Sequence, residues 1–141
     1  MRRIAFICHG NICRSVMAEY ILQDLIEKNN IKDIYVDSFA VSYEEIGNTI
    51  YPYALDCLKR HNIKIGKHKA KRITQNDYYN FDEFYYMDDS NKRLLNNIIK
   101  DSDNKIHKLL DRDVSDPWYT GDFEKTYADL LVGINNILNK R

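Results

Sequence analysis

The chain has no surplus of charge: 21 Lys and Arg stand against 21 Asp and Glu. Without a net field there is no general attraction for nucleic acid or an anionic membrane, so basic character that serves a ligand must be local. An apolar run of about eighteen residues is also missing, which excludes a transmembrane helix. Met1-Arg2-Arg3 has the charge of a signal peptide, but the apolar stretch behind it is short and runs straight into a cysteine-containing loop. A cytoplasmic protein with no nucleic-acid or membrane partner is expected. Cysteine is scarce: Cys8, Cys13 and Cys57 are an odd set with two in one short loop, which does not suit a disulfide framework. Cys8 and Cys13 have the wrong spacing for a zinc knuckle, and no His or Cys pair follows at ligand spacing, so neither metal nor cofactor is expected. Repeats, low-complexity tracts and interdomain linkers are absent. The 141 residues, 44% hydrophobic, read as one domain over 1–141 that is large enough to bury a core.

Short apolar runs alternate with segments of helical period. Ile4–Ile7 is a continuous apolar run, the pattern of a strand covered on both faces. Ala18, Ile21, Leu22, Leu25 and Ile26 share one helical face, and Asn29-Asn30 ends it. Ile34–Ser38 reads as a second strand, and Pro52 opens a helix that carries Ala54, Cys57 and Leu58, with Cys57 read as core. Phe84–Met87 and Lys105–Leu110 read as third and fourth strands, separated by a helix through Leu94, Leu95, Ile98 and Ile99. A last helix runs from Phe123 to Leu138. The alternation predicts an α/β fold: a four-stranded parallel sheet flanked by helices on both faces, with ligands bound beyond the carboxyl ends of the strands. The irregular stretches 41–51, 66–80 and 111–122 are candidate loops over such a site.

At the end of the first strand stands Cys8-His9-Gly10-Asn11-Ile12-Cys13-Arg14-Ser15, a cysteine and an arginine with five residues between them. A loop of that length can curl its backbone N–H groups around an oxyanion, with a helix N-terminus behind it. A thiol is a weak nucleophile until ionised, and a helix N-terminus and a cation both favour the thiolate. Cys8 is the candidate nucleophile and Arg14 a bidentate phosphate ligand that Lys would not replace. Ser15 can donate its hydroxyl to the sulfur. Gly10 is expected to supply a backbone conformation closed to other residues, and Asn11 to tolerate the left-handed region and tie the loop. His9 reads as a loop filler in preference to a base. A phosphate ester also needs its leaving oxygen protonated. Asp116, stiffened by Pro117 and followed by Trp118 and Tyr119, is the candidate acid, with the two aromatics as walls of a slot for a ring.

At these residues the chain resembles the low-molecular-weight protein tyrosine phosphatases. Besides the first loop and Asp116-Pro117-Trp118-Tyr119, the similar pieces are Met17-Ala18-Glu19, Asp37-Ser38, His68-Lys69-Ala70 and Met87-Asp88-Asp89-Ser90-Asn91, in family order over nearly the whole chain. The resemblance implies hydrolysis of phosphotyrosine or other aryl phosphates through a cysteinyl-phosphate, and a monomer or weak dimer. It also implies that Asn11, Ser15 and His68 hold the loop, and that Glu19 and Asp88 are structural supports. Cys13 resembles a family cysteine that traps the oxidised nucleophile as a disulfide; on chemistry alone it is equally a buried support of the loop. Three departures stand out. Val16 occupies a usual proline position, so a looser helix start is expected. Lys71 replaces a usual arginine. The wall at 42–47 lacks tryptophan, so that either Tyr43 substitutes or the slot is more open and acidic.

Three other functions compete. Arsenate reduction uses a similar loop but needs further cysteines to pass on a disulfide, and only Cys57 remains. A protein arginine phosphatase has threonine where Ile12 stands. A silent phosphate-binding module would need neither Cys8 nor Asp116.

Overall fold

The computed structural model describes residues 1–140. Four strands form one parallel sheet in the order β2-β1-β3-β4: β1 (Arg2–Cys8), β2 (Ile34–Ala40), β3 (Glu83–Tyr86) and β4 (Ile106–Lys108). Helices α1 (Arg14–Lys28), α2 (Pro52–Arg60), α3 (Gln75–Tyr78), α4 (Asp89–Asn96), α5 (Pro117–Thr120) and α6 (Phe123–Asn139) fill the connections.

Period-two alternation divides β1 between two cores. Ile4, Phe6 and Cys8 face α1, α2 and α6, while Ala5 and Ile7 face a second cluster with Tyr78, Phe84 and Leu95. Because β1 is covered on both sides, it reads as an unbroken apolar run. The chain winds from β1 to β2, then crosses back over β1 to β3. The winding direction therefore reverses between β1 and β3, and a crevice opens beyond their carboxyl ends. Cys8 is the last residue of β1, so the loop it begins lies at that crevice.

Several local expectations are corrected. Ile98 and Ile99 follow α4 in a turn whose N–H groups bond to Leu95 O, so the helix is shorter than its apolar spacing suggested. The stretch 66–80 contains α3, started by a reciprocal cap between Thr74 and Asp77, and the stretch 111–122 contains α5. Helix α1 is regular from Arg14 without proline: Val16 is fully buried, and packing supplies the order that a ring would have given. Asn30, with φ at 52°, takes the left-handed conformation that stops the chain after α1. Among the described residues no helix is long and apolar enough to cross a membrane.

Candidate active site

The loop from Cys8 to Ser15 is held from outside by its carbonyls. Cys8 O accepts from Val41 N–H (3.1 Å), His9 O from Ser42 N–H (3.1 Å), Ile12 O from Tyr51 N–H (2.9 Å) and Cys13 O from Met17 N–H (2.8 Å). Asn11 O accepts from His68 Nε2 at 2.7 Å. In a planar trans peptide the N–H points opposite to its C=O. With four of these carbonyls turned toward the surrounding protein and that of Cys13 turned along α1, the N–H groups that follow them, on His9, Gly10, Ile12, Cys13 and Arg14, turn the other way, toward the loop's hollow. Asn11 N–H already reaches Cys8 Sγ at 3.3 Å. Asn11, not Gly10, adopts the left-handed conformation (φ 60°). Gly10 packs closely instead: a Cβ there would stand 3.2 Å from Glu45 Cγ, and that side chain would have to give by a few tenths of an ångström.

A polarised chain of side chains runs behind the sulfur. Ser38 donates its hydroxyl to Glu19 Oε1 (2.5 Å), so its oxygen is free to accept from Asn11 Nδ2 (2.9 Å). The other Asn11 amide hydrogen goes to Ser15 Oγ (2.8 Å), while Asn11 Oδ1 accepts from Lys71 N–H (3.1 Å). Ser15 Oγ lies 3.0 Å from Cys8 Sγ. The thiol donates to that oxygen, which also accepts from Asn11; once the sulfur is ionised, the Ser15 hydroxyl can donate to it in return. His68 donates through Nε2, and burial depresses its pKa, so a neutral ring with the proton on Nε2 suits the contact.

Burial pushes the Glu19 carboxyl up to about 7, against the Ser38 hydrogen bond that opposes it. The sign follows: folding favours the protonated acid, so this stabilisation is full below pH 4.5 and lost as the pH rises through 7. Between those values the stability of the protein relative to a Glu19→Gln variant falls by up to about 3 kcal/mol. Urea unfolding of both proteins across that range checks it; a difference that does not change with pH rejects it.

Arg14 is only 2% exposed. Its Nη1 donates to Asp88 Oδ2 (2.7 Å) and Val114 O (2.8 Å), and Nη2 faces Asp116 Oδ2 at 3.4 Å. Asp88 does two things: Oδ1 caps α4 through Asn91 N–H (2.8 Å), while Oδ2 aims the guanidinium. The supporting role that the resemblance implied for Asp88 is thus joined by a helix cap. Asp88→Ala removes a cap and the main partner of a buried cation; with Val114 O and Asp116 still present, the expected loss is about 2–4 kcal/mol. Chemical denaturation measures it, and a loss under about 1 kcal/mol would mean that Asp88 does not anchor Arg14.

Asp116 is the N-cap of α5: Oδ1 accepts from Trp118 N–H at 3.0 Å, which leaves Oδ2 toward Arg14. Cys8, His9, Gly10, Ile12, Cys13, Arg14, Asp116, Trp118 and Tyr119 line one cleft, and Glu44 and Glu45 form its remaining wall. Trp118 packs on Tyr51 with ring centroids 4.8 Å apart, while Tyr119 is 84% exposed. Cys13 is buried at the N-cap of α1, and burial together with Cys8 pushes its thiol up. His9 Nε2 pairs with Glu44 Oε2 at 3.2 Å on the rim, in keeping with a filler role.

Tyr43 does not line the cleft. Its ring lies under the Arg72 guanidinium, 4.1 Å from the centroid, and is 70% exposed. The cation captures the aromatic face, and the two following glutamates take the wall. Of the two alternatives, the wall is therefore acidic and not formed by Tyr43. Lys71 holds Asp37 through Nζ (2.7 Å) besides bonding Asn11 through its backbone. Sequence reasoning did not single out Tyr51 or Val114; their roles depend on backbone contacts, which no spacing signal marks.

A family model described as "Low molecular weight phosphotyrosine protein phosphatase" matches residues 3–140. The chain belongs to this family. A relative from Sus scrofa, named low molecular weight phosphotyrosine protein phosphatase, is 39% identical over 142 residues, covering 92% of this chain and 89% of that protein. The crystal structure of YfkJ from Bacillus subtilis superposes with a TM-score of 0.94 at 32% identity, covering 99% of this chain and 94% of the other. That of DARP, described as a Drosophila arginine phosphatase, superposes with a TM-score of 0.88 at 30% identity, covering 99% and 97%. This chain is therefore similar to proteins with two substrate descriptions on one fold.

Proposed function

We propose that this family member is a metal-independent protein tyrosine phosphatase that works through a cysteinyl-phosphate, as a monomer or weak dimer in the cytoplasm. The observation that carries the reading is the outward hold on the loop carbonyls, which turns five N–H groups inward above a sulfur that lies 3.0 Å from the Ser15 hydroxyl oxygen. The phosphate dianion sits in that hollow, its equatorial oxygens held by N–H groups and by Arg14. Cys8 attacks phosphorus opposite the ester oxygen; the P–O bond breaks as the S–P bond forms. Asp116, on the rim, gives its proton to the leaving oxygen and later takes one from the water that attacks the phosphocysteine, restoring the thiolate and releasing phosphate. Ser15 stabilises the sulfur as it leaves.

Trp118 and Tyr119 favour an aryl group in the slot. Phosphoarginine is the second reading, supported by the likeness to DARP and by the acidic wall of Glu44 and Glu45, which suits a guanidinium; against it stands Ile12, where arginine phosphatases resembling this chain have threonine. Initial rates on phosphotyrosine, phosphoserine and phosphoarginine peptides of one sequence separate these. The expected order places phosphotyrosine first by at least about tenfold in kcat/KM, equivalent to about 1.4 kcal/mol of transition-state preference. Equal or faster hydrolysis of phosphoarginine would replace the first reading with the second.

A further inference from the structure

Cys57 has no part in this chemistry, yet its sulfur is not idle. It is fully buried on α2 and donates to Glu124 Oε2, 2.8 Å away in the first turn of α6. His61, the C-cap of α2, turns Nε2 to the same carboxylate, 2.8 Å from Oε1. Sulfur, imidazole nitrogen and carboxylate oxygen all lie within 4.8 Å of one another. The His61 ring is stacked on Tyr127 of α6, with centroids 3.7 Å apart and planes 8° apart. One helix therefore places the imidazole and the other fixes its plane.

We propose that Cys57, His61 and Glu124 form a site for a divalent transition-metal ion of the zinc class, clipping α2 to α6. A thiolate, an imidazole and a carboxylate are the ligand types such an ion takes, with one position left for water. Metal–ligand bonds of about 2.0–2.3 Å in tetrahedral array place ligand atoms about 3.5 Å apart. The S···O and N···O separations need to open by less than about 1 Å, and the half-exposed Glu124 carboxylate can make that movement. Charge also fits: thiolate and carboxylate neutralise a dication, and the C-terminal end of α2 adds partial negative charge.

The groups that oppose the ion are limited. Arg60 Nη2 lies 3.5 Å from Glu124 Oε2, but its side chain is 56% exposed and can swing into solvent. Burial, reinforced by Glu124, holds the Cys57 thiol at about 12 without metal. On binding, the metal–sulfur bond replaces the S–H bond, the proton leaves to solvent, and nothing is oxidised or reduced. Cys57 and His61 are four residues apart, one helical turn, but the third ligand lies 67 positions beyond Cys57. A search for paired cysteines or histidines along the sequence passes over such a set.

Titration of the full chain carrying Cys8→Ser with cobalt(II) tests the site while the loop nucleophile is absent. The expected result is one equivalent bound, with a sulfur-to-cobalt charge-transfer band and the strong visible absorption of tetrahedral cobalt, both erased by added zinc. His61→Gln and Glu124→Gln in that background should each weaken cobalt binding by about tenfold or more, and Cys57→Ser should remove the charge-transfer band. Zinc at about a hundred times its dissociation constant should also raise Tm by about 5 °C or more, an effect lost in Glu124→Gln. No charge-transfer band at saturating cobalt, or full affinity in Glu124→Gln, would reduce the cluster to a hydrogen-bonded contact between two helices. A band that survives Cys57→Ser would place the metal at Cys13 and overturn the proposal. If Cys57→Ser fails to fold, the two variants at His61 and Glu124 still decide. None of these outcomes depends on the substrate reading, because the nucleophile is removed throughout.

Discussion

Cys8→Ser is expected to stop turnover of aryl phosphates while phosphate still binds. The oxygen that replaces the sulfur is held as a neutral hydroxyl, since the hollow cannot offset the much higher cost of forming an alkoxide, and no phosphorylated intermediate accumulates. A fall of about 10⁴-fold or more in kcat is expected, equivalent to at least about 5 kcal/mol on the barrier. The anion site should survive, because its donors are backbone N–H groups and Arg14. Five loop carbonyls keep their partners whatever atom stands at position 8. Steady-state rates with an aryl phosphate, alongside direct titration with inorganic phosphate or vanadate, separate the two effects. Rapid quenching of the unaltered protein during turnover should yield phosphate bonded to the Cys8 sulfur. Substantial activity in the serine variant, or no phosphocysteine under turnover, would remove the nucleophile from the mechanism.

The second large effect belongs to Asp116→Asn, and its size should depend on the substrate. With a leaving group of low basicity the P–O bond breaks without much help, and the loss should be about tenfold. With a basic leaving oxygen, as in phosphotyrosine itself, it should reach about 10³-fold. Asparagine keeps the side-chain oxygen that accepts from Trp118 N–H, so the cap of α5 and the position of Trp118 should persist. The experiment therefore isolates the proton. A plot of log kcat/KM against leaving-group pKa should steepen in the variant. A parallel line, with equal loss throughout, would show that Asp116 serves only to place Arg14 or the aromatic wall.

Some of this site was visible residue by residue. The strand ending at Cys8, the position of Arg14 and the left-handed Asn11 all hold in the structure. These were legible because each rests on local chemistry or on a short motif whose spacing fixes geometry. The errors have a different cause. Gly10 was expected to supply an unusual backbone angle, but Asn11 takes that angle, and Gly10 lies against the Glu45 side chain, 35 residues away. Tyr43 was offered as a wall, but Arg72 holds its ring elsewhere. A sequence states which residue types are near in chain order; it does not state which of two partners an aromatic ring will choose.

By itself the sequence determined the alternation of strands and helices, the thiol and guanidinium on either side of one loop, and the acid behind a proline. Backbone propensity and short-range spacing suffice for those. Only the folded arrangement decided that Asp88 aims Arg14 from 74 positions away, that Glu19, Ser38 and Asn11 orient the Ser15 hydroxyl, and that the fourth wall of the cleft is acidic. Hydrogen bonds and ion pairs act over a few ångströms in space, and the crossover from β2 to β3 sets which distant residues come within that range.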